Sequence, residues 1–211
     1  MLYSLNNETY VTDNLITTVS SSSASDTEIV RIEGHTLAND NFTFSTQDVT
    51  LNGQTQVTLS TPLARVTRLA NIGSNNLVGS VYVYQTGSSS GGVPSTAAEV
   101  HLQTRAGQNQ SEKCATTLSS TDYWIVSGIY TDVIEKTAAY VDVELQGREY
   151  GGVFRPRLNI SATTAGGRAR QPFTPYQIFK KNSDVRLSAV ADGANTDVSG
   201  GIEGVLAVVT G

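Results

Sequence analysis

Cysteine is nearly absent. Cys114 is the only one in 211 residues, so no intrachain disulfide can staple the fold, and stability has to come from a buried core or from assembly. A lone cysteine also fits folding in a reducing cytoplasm. Histidine is scarce as well: His35 and His101 are the only two, too few and too dispersed to supply a zinc site with one Cys. Charged residues reach only 16%, below the ~25% of an average globular chain. Lys and Arg total 14 against 19 Asp and Glu, a net charge of −5. That balance argues against a nucleic-acid partner, which calls for a concentrated basic stripe to displace counterions from phosphates. Arg155, Arg157, Arg168, Arg170, Lys180, Lys181 and Arg186 do gather in the last third, but acids are scattered among them. No run approaches the ~18 apolar residues of a membrane span. The segment Met1–Glu8 has neither a basic nor an apolar signal-peptide region, so the expectation is a protein that is not membrane-inserted and not exported by its own signal.

Ser, Thr, Asn, Gln and Gly take the place of the missing charge, and β-branched residues are plentiful, which sets the chain apart from disordered sequences. The length allows one sizeable core or two small domains. Residues 1–26 end in the polar tract Ser20–Asp26 and read as an N-terminal extended arm or linker. From Thr27 on, period-2 alternation recurs in short segments. Val30 and Ile32 alternate with Arg31 and Glu33, Phe42 and Phe44 with Thr43 and Ser45, and Val81 and Val83 with Tyr82 and Tyr84. Val100 and Leu102 alternate with His101 and Gln103; Val141, Val143 and Leu145 with Asp142, Glu144 and Gln146; Leu158 and Ile160 with Arg157 and Asn159; and Val185, Leu187 and Ala189 with Arg186 and Ser188. Ile202–Val209 is more continuously apolar, as a central strand would be. Asn52-Gly53 signals a hairpin, and a three-residue loop through Gln54 would set Val49 opposite Val57. About ten strands at even spacing predict an all-β, antiparallel β-sandwich of jelly-roll type over residues 27–211, with two sub-sheets at 27–87 and 97–211.

No catalytic constellation stands out. His101 lies on the polar side of its strand and His35 in a probable turn after Gly34, so both read as solvated. Cys114 reads as an inert half-buried thiol, with no base paired to it by motif. Asp122, Asp132, Glu135, Asp142 and Glu144 are numerous enough for a glycosidase pair, yet no perturbing partner can be named for them. Asp192–Asp197 crowds oxygen ligands into a turn but does not match an EF-hand loop, and a plain hairpin loop is the simpler reading. The glycines Gly73, Gly79, Gly87, Gly91 and Gly92 lack the strand-to-helix setting of a phosphate cradle. No cofactor and no metal are expected. Tyr82 and Tyr84 fit either a second packed face or an exposed pair able to stack on sugar rings or anchor a partner, and Trp124 reads as core.

Four stretches carry a resemblance. The tract Ser20–Glu33 is followed by Asp48-Val49-Thr50-Leu51-Asn52-Gly53-Gln54-Thr55-Gln56-Val57. Then come Ala106-Gly107-Gln108-Asn109-Gln110-Ser111 and Gly151-Gly152-Val153-Phe154-Arg155. Last is the strand pair of Lys181–Leu187 with Asn195–Leu206. In order and spacing these resemble a set of small virion proteins of tailed, mainly aquatic, phages. Ser119–Asp122 departs from that pattern where a proline-glycine turn is usual, and Gly201 stands where a second small residue is. The resemblance implies a non-enzymatic structural protein, a capsid decoration (cement) protein made in the host cytoplasm and located on the capsid surface. Its implied partners are the major capsid protein and further copies of itself, with a homotrimer expected by analogy, and neither nucleic acid nor membrane. A tail- or fibre-associated receptor- or glycan-binding module is the alternative. The candidate interaction surface is Tyr82, Tyr84, Arg155, Arg157, Lys180 and Lys181.

Overall fold

The structure, a computed structural model, describes residues 10–135, 140–163, 168–192 and 196–208. Among them, every regular element except a 3-10 turn at Ala97–Glu99 is a strand, and every strand pairing is antiparallel. The all-β expectation holds. The chain divides into two compact units between Lys113 and Cys114, so the boundary lies well beyond residue 87, where the sub-sheet reading placed it.

The N-terminal unit contains β1 (Ile16–Ser21), β2 (Ile29–Ala38), β3 (Asn41–Thr50), β4 (Val57–Leu63), β5 (Arg65–Asn71), β6 (Val81–Gln85), the short ribbon β7 (Ser89–Ser90) and β8 (Val93–Pro94), β9 (Val100–Gln103) and β10 (Gln110–Glu112). Two four-stranded sheets form, in the orders β4-β1-β6-β9 and β10-β5-β2-β3. Ile16 and Val19 from β1, Val81 and Val83 from β6, Val30 and Ile32 from β2, and Leu69 from β5 meet in one apolar cluster, so the two sheets sandwich a shared core.

The C-terminal unit contains β11 (Ala115–Thr117), β12 (Asp122–Glu135), β13 (Tyr140–Glu149), β14 (Arg155–Thr163), β15 (Arg168–Phe179), β16 (Ser183–Ala191) and β17 (Thr196–Val208). Its sheets run β11-β16-β13-β14 and β15-β12-β17. Val141, Val143 and Leu145 on β13 face Val126, Ile129 and Phe179 from the other sheet. The period-2 readings of β2, β13 and β16 therefore match the observed burial, whereas in β6 Tyr84 is buried along with Val81 and Val83. The finer expectation of a jelly roll is not met by these strand orders.

Four other expectations are corrected. Residues 16–21 are not an arm: β1 is an inner strand of its sheet, with Ile16, Val19, Ser20 and Ser21 buried. A serine tract can pack when each hydroxyl finds a partner inside, and Ser20 Oγ donates to the Gly92 carbonyl at 2.8 Å. Residues 1–9 of the same expectation lie outside the described residues. The Asn52-Gly53 turn exists, closed by Thr55 N–H to the Asn52 carbonyl at 2.9 Å, but it is not a hairpin. It carries the chain from β3 in one sheet to β4 in the other. Likewise β16 and β17 are not a pair: β16 lies between β11 and β13, while β17 pairs with β12. The loop read between them lies outside the described residues at 193–195. Finally, β17 sits at the end of its sheet rather than at its centre, and Val205, Leu206 and Val208 are exposed. Both sheet crossings have one cause. Alternation reports which face of a strand is apolar, and a strand in either layer can satisfy that by facing the same core.

A chain shortened to begin at Thr27 should lose cooperative unfolding of the N-terminal unit, because β1 lies between β4 and β6. Ile16→Ala should lower its stability by about 2–4 kcal/mol in a denaturant titration. Native-like stability of the shortened chain would restore the arm reading.

Candidate interaction surface

The segments singled out in the sequence resolve first into internal anchors. Asp26, the last residue of the serine tract, is 2% exposed. Its carboxylate accepts the Ser21 hydroxyl and the backbone N–H groups of Val78 at 2.8 Å and Gly79 at 2.9 Å. Its carbonyl accepts the Gly53 N–H at 2.8 Å, and the Gly53 carbonyl accepts Ser21 N–H at 3.1 Å. Gly53 has φ +54°, and a Cβ there would lie 2.6 Å from the Ala24 carbonyl oxygen, so only glycine fits this contact. The serine tract and the Asn52-Gly53 turn, distant in sequence, thus form one polar lock.

The C-terminal unit has its own lock. Asp184 is fully buried. Thr117 Oγ1 donates to one carboxylate oxygen at 2.7 Å, and the Arg148 guanidinium donates to the other from Nε and from a terminal nitrogen, each at 2.9 Å. The Phe154 ring is then held between two cations, with the guanidinium carbons of Arg148 and Arg186 at 4.5 Å and 4.0 Å from its centroid. Arg186 Nε donates to Gln146 Oε1 at 2.9 Å. The segments Gly151–Arg155 and Lys181–Leu187 therefore meet around one buried carboxylate. Neither Asp26 nor Asp184 was singled out by sequence reasoning for this role. The usable signal was an Asp within an otherwise uncharged motif.

The six candidate surface residues separate. Tyr84 is fully buried, with its hydroxyl 3.1 Å from Ser20 Oγ, and leaves the candidate surface. All five residues of β6 are at least half-buried, because its sheet is covered on one side by the core and on the other by the segment carrying Gly92. Tyr82 is half-buried. In the C-terminal unit, by contrast, Arg155, Arg157, Lys180 and Lys181 are all exposed and share one end of the sandwich. Glu149 pairs with Ser183 across β13 and β16, and the Tyr150 N–H donates to the Asn182 carbonyl at 2.9 Å. This brings the β13–β14 hairpin beside the β15–β16 turn that bears the two lysines. Arg157 lies over the Phe179 ring at 6.0 Å.

Both histidines are buried rather than solvated. His35 stands on β2 against the edges of Phe42 and Phe44, with ring centroids 6.4 Å and 5.5 Å apart. His101 stands on β9 with Gln85 Nε2 3.0 Å from its ring nitrogen. Burial, helped by the charges of Lys113 and Arg65, pushes its pKa down to about 3, so its ring is neutral at physiological pH. Cys114 is half-buried, with its thiol 3.4 Å from the Gly200 carbonyl. The carboxylates do not converge. Asp132 pairs with Arg168 at 3.6 Å, Asp142 accepts from Ser161 at 2.6 Å, Glu144 accepts from Gln146 at 2.7 Å, and Asp122 accepts from Thr121 at 3.0 Å. The Glu135 side chain lies outside the described residues. Among the described residues no three His, Cys, Asp or Glu side chains are grouped to hold a metal ion.

No protein-family model, no curated protein and no solved structure matches the chain.

Asp184→Asn removes the charge that balances Arg148 and should cost about 2–4 kcal/mol of stability, read by chemical denaturation. The folded His101 binds a proton only near pH 3, whereas the unfolded chain binds it near 6.5. Stability should therefore fall as pH drops from 6.5 toward 3, by a few kcal/mol in order of magnitude. His101→Gln should flatten that slope between pH 6.5 and 5, above the range in which the carboxylates titrate. An unchanged slope would place His101 in water.

Proposed function

We propose that this chain is a structural, non-enzymatic protein of a tailed-phage virion: a capsid decoration protein that binds and stabilises the assembled major capsid shell. One observation carries the reading. Two pairs of the segments on which the resemblance rests each meet at a buried carboxylate: Ser20–Glu33 and Asp48–Val57 where the Gly53 N–H donates to the Asp26 carbonyl, and Gly151–Arg155 and Lys181–Leu187 where Phe154 lies between Arg186 and the Arg148 that pairs with Asp184. A resemblance spread over fold-determining contacts of both units speaks for a shared scaffold more than scattered surface identities would. The receptor- or glycan-binding alternative leaned on a pair of exposed tyrosines, and the burial of Tyr84 removes half of that pair.

The mechanism is mass-action linkage. A protein that binds the assembled shell, and not the free subunit, stabilises assembly by RT ln(1 + [L]/Kd), about 2.7 kcal/mol per site at a concentration of 100 Kd. A neutral surface rich in hydroxyls and amides suits wet, hydrogen-bonded contacts of this kind.

Virions should carry the chain in a copy number comparable with that of the shell protein, quantified on a stained gel. Particles assembled without it should lose their genome at lower temperature or milder osmotic shock. A dozen or fewer copies per particle would move the protein to the tail, and unchanged capsid stability on its removal would end the cement reading.

A further inference from the structure

The outer face of the sheet β15-β12-β17 carries an apolar row that the core does not use. Phe179, Trp124 and Leu206 stand opposite one another across the three strands; Phe179 is buried and Trp124 packs on the core, so these two face inward, while Leu206 on the edge strand stays 54% exposed. The next row, Ile178, Ile125 and Val205, therefore points the other way. Ile178 is 63% exposed and Val205 66%, with Ile125 half-buried between them. Three aliphatic side chains abreast in water are costly, and such patches mark interaction sites more often than isolated exposed residues do.

The patch has different borders on its two sides. Toward the middle of the sheet it ends at Arg170 and Glu203, which pair with each other at 2.6 Å. Toward the strand ends it meets Lys180 and Lys181, which follow Phe179 directly and are both exposed. No acid is bonded to either lysine among the described residues. One border is thus internally neutralised, and the other presents open positive charge around an apolar centre.

We infer that this end of the C-terminal unit docks a protein surface of complementary character: an apolar spot flanked by free carboxylates. Aliphatic side chains abreast suit the centre of an interface, and unpaired lysines at its rim steer an acidic partner toward it. A second copy of this chain fits poorly, because many of its carboxylates are already committed. Glu33 pairs with Arg68, Asp48 with Arg31, Asp132 with Arg168 and Glu203 with Arg170, while Glu28 is bonded by Asn75 and Ser74. Nucleic acid fits poorly too, since two lysines on a chain of net charge −5 leave little counterion release. Identification of that partner as the capsid shell rests on the function proposed above; the docking chemistry does not.

The test uses the full chain and a short synthetic strand peptide alternating Asp and Leu, with binding read by fluorescence anisotropy. The wild-type chain should bind this peptide and bind its Asn-Leu and Asp-Ser counterparts about tenfold more weakly. Ile178→Ser with Val205→Ser, and separately Lys180→Glu with Lys181→Glu, should each weaken binding about tenfold, whereas Lys180→Arg with Lys181→Arg should retain it. Unchanged thermal midpoints would show that these exposed replacements leave the fold intact. Equal binding by wild type and variants would overturn the proposal, as would no peptide binding at all. Tighter binding of a single-stranded oligonucleotide would replace it with a polyanion site. Self-association in sedimentation that Ile178→Ser with Val205→Ser abolishes would replace it with a homotypic interface. Assembled shells lacking the protein form the second arm. Variants that bind shells as well as wild type would discard this surface and keep the decoration reading. A wild type that binds the peptide and ignores shells would do the reverse.

Discussion

A buried carboxylate is tolerable only where donors surround it, and that requirement organises the N-terminal unit. Asp26 lies out of water and draws its donors from Ser21, Val78 and Gly79, while its backbone carbonyl takes Gly53. These donors come from three separate stretches of chain. Satisfying one charge therefore sets where β1 ends, where the chain turns after β3, and how the segment before β6 approaches. Asp184 imposes the same discipline on the C-terminal unit, drawing Thr117 from before β12 and Arg148 from the end of β13. Arg148 and Arg186 then fix Phe154 and with it the β13–β14 hairpin.

These locks account for the character of the motifs. A serine tract ending in aspartate, an Asn-Gly turn, a Gly-Gly-x-Phe-Arg hairpin and a Ser-Asp-x-Arg strand look like candidate functional signatures because they are polar and specific. Their polar groups are spent inward. What remains for a partner is above all the outer row Ile178, Ile125 and Val205 with Lys180 and Lys181 beside it, of which only Val205 and Lys181 fall within those motifs.

The strands were legible because period-2 alternation follows from pleating and burial alone. Val30 and Ile32, Val81 and Val83, and Val141 through Leu145 are buried as their spacing requires. Polar burial was not legible. Ser20, Ser21, His35 and His101 were read as loop or surface, and Tyr84 was left open between a packed face and the surface, since composition cannot reveal that a hydroxyl or ring nitrogen will find an internal partner. Four of the six candidate surface residues were legible in a firmer sense: Arg155, Arg157, Lys180 and Lys181 are exposed and share one end of their unit, though nothing in their spacing foretold that a hairpin and a turn would meet there.

The sequence by itself determined the all-β class and the apolar face of most strands, because both depend on neighbours two residues apart. Tertiary structure alone decided which layer each strand joins, which strands stand at sheet edges, and where the chain divides into units. Asn52-Gly53 encodes a turn, but whether the turn closes a hairpin or crosses to the opposite sheet depends on Asp26 and Ala24, more than twenty residues earlier. The apolar run ending at Val208 encodes a strand, but its place at the edge, and hence the exposure of Val205, depends on β12 accepting β15 on its other side. Local periodicity is blind to such choices, since they are made by hydrogen bonds and packing between segments far apart in the chain.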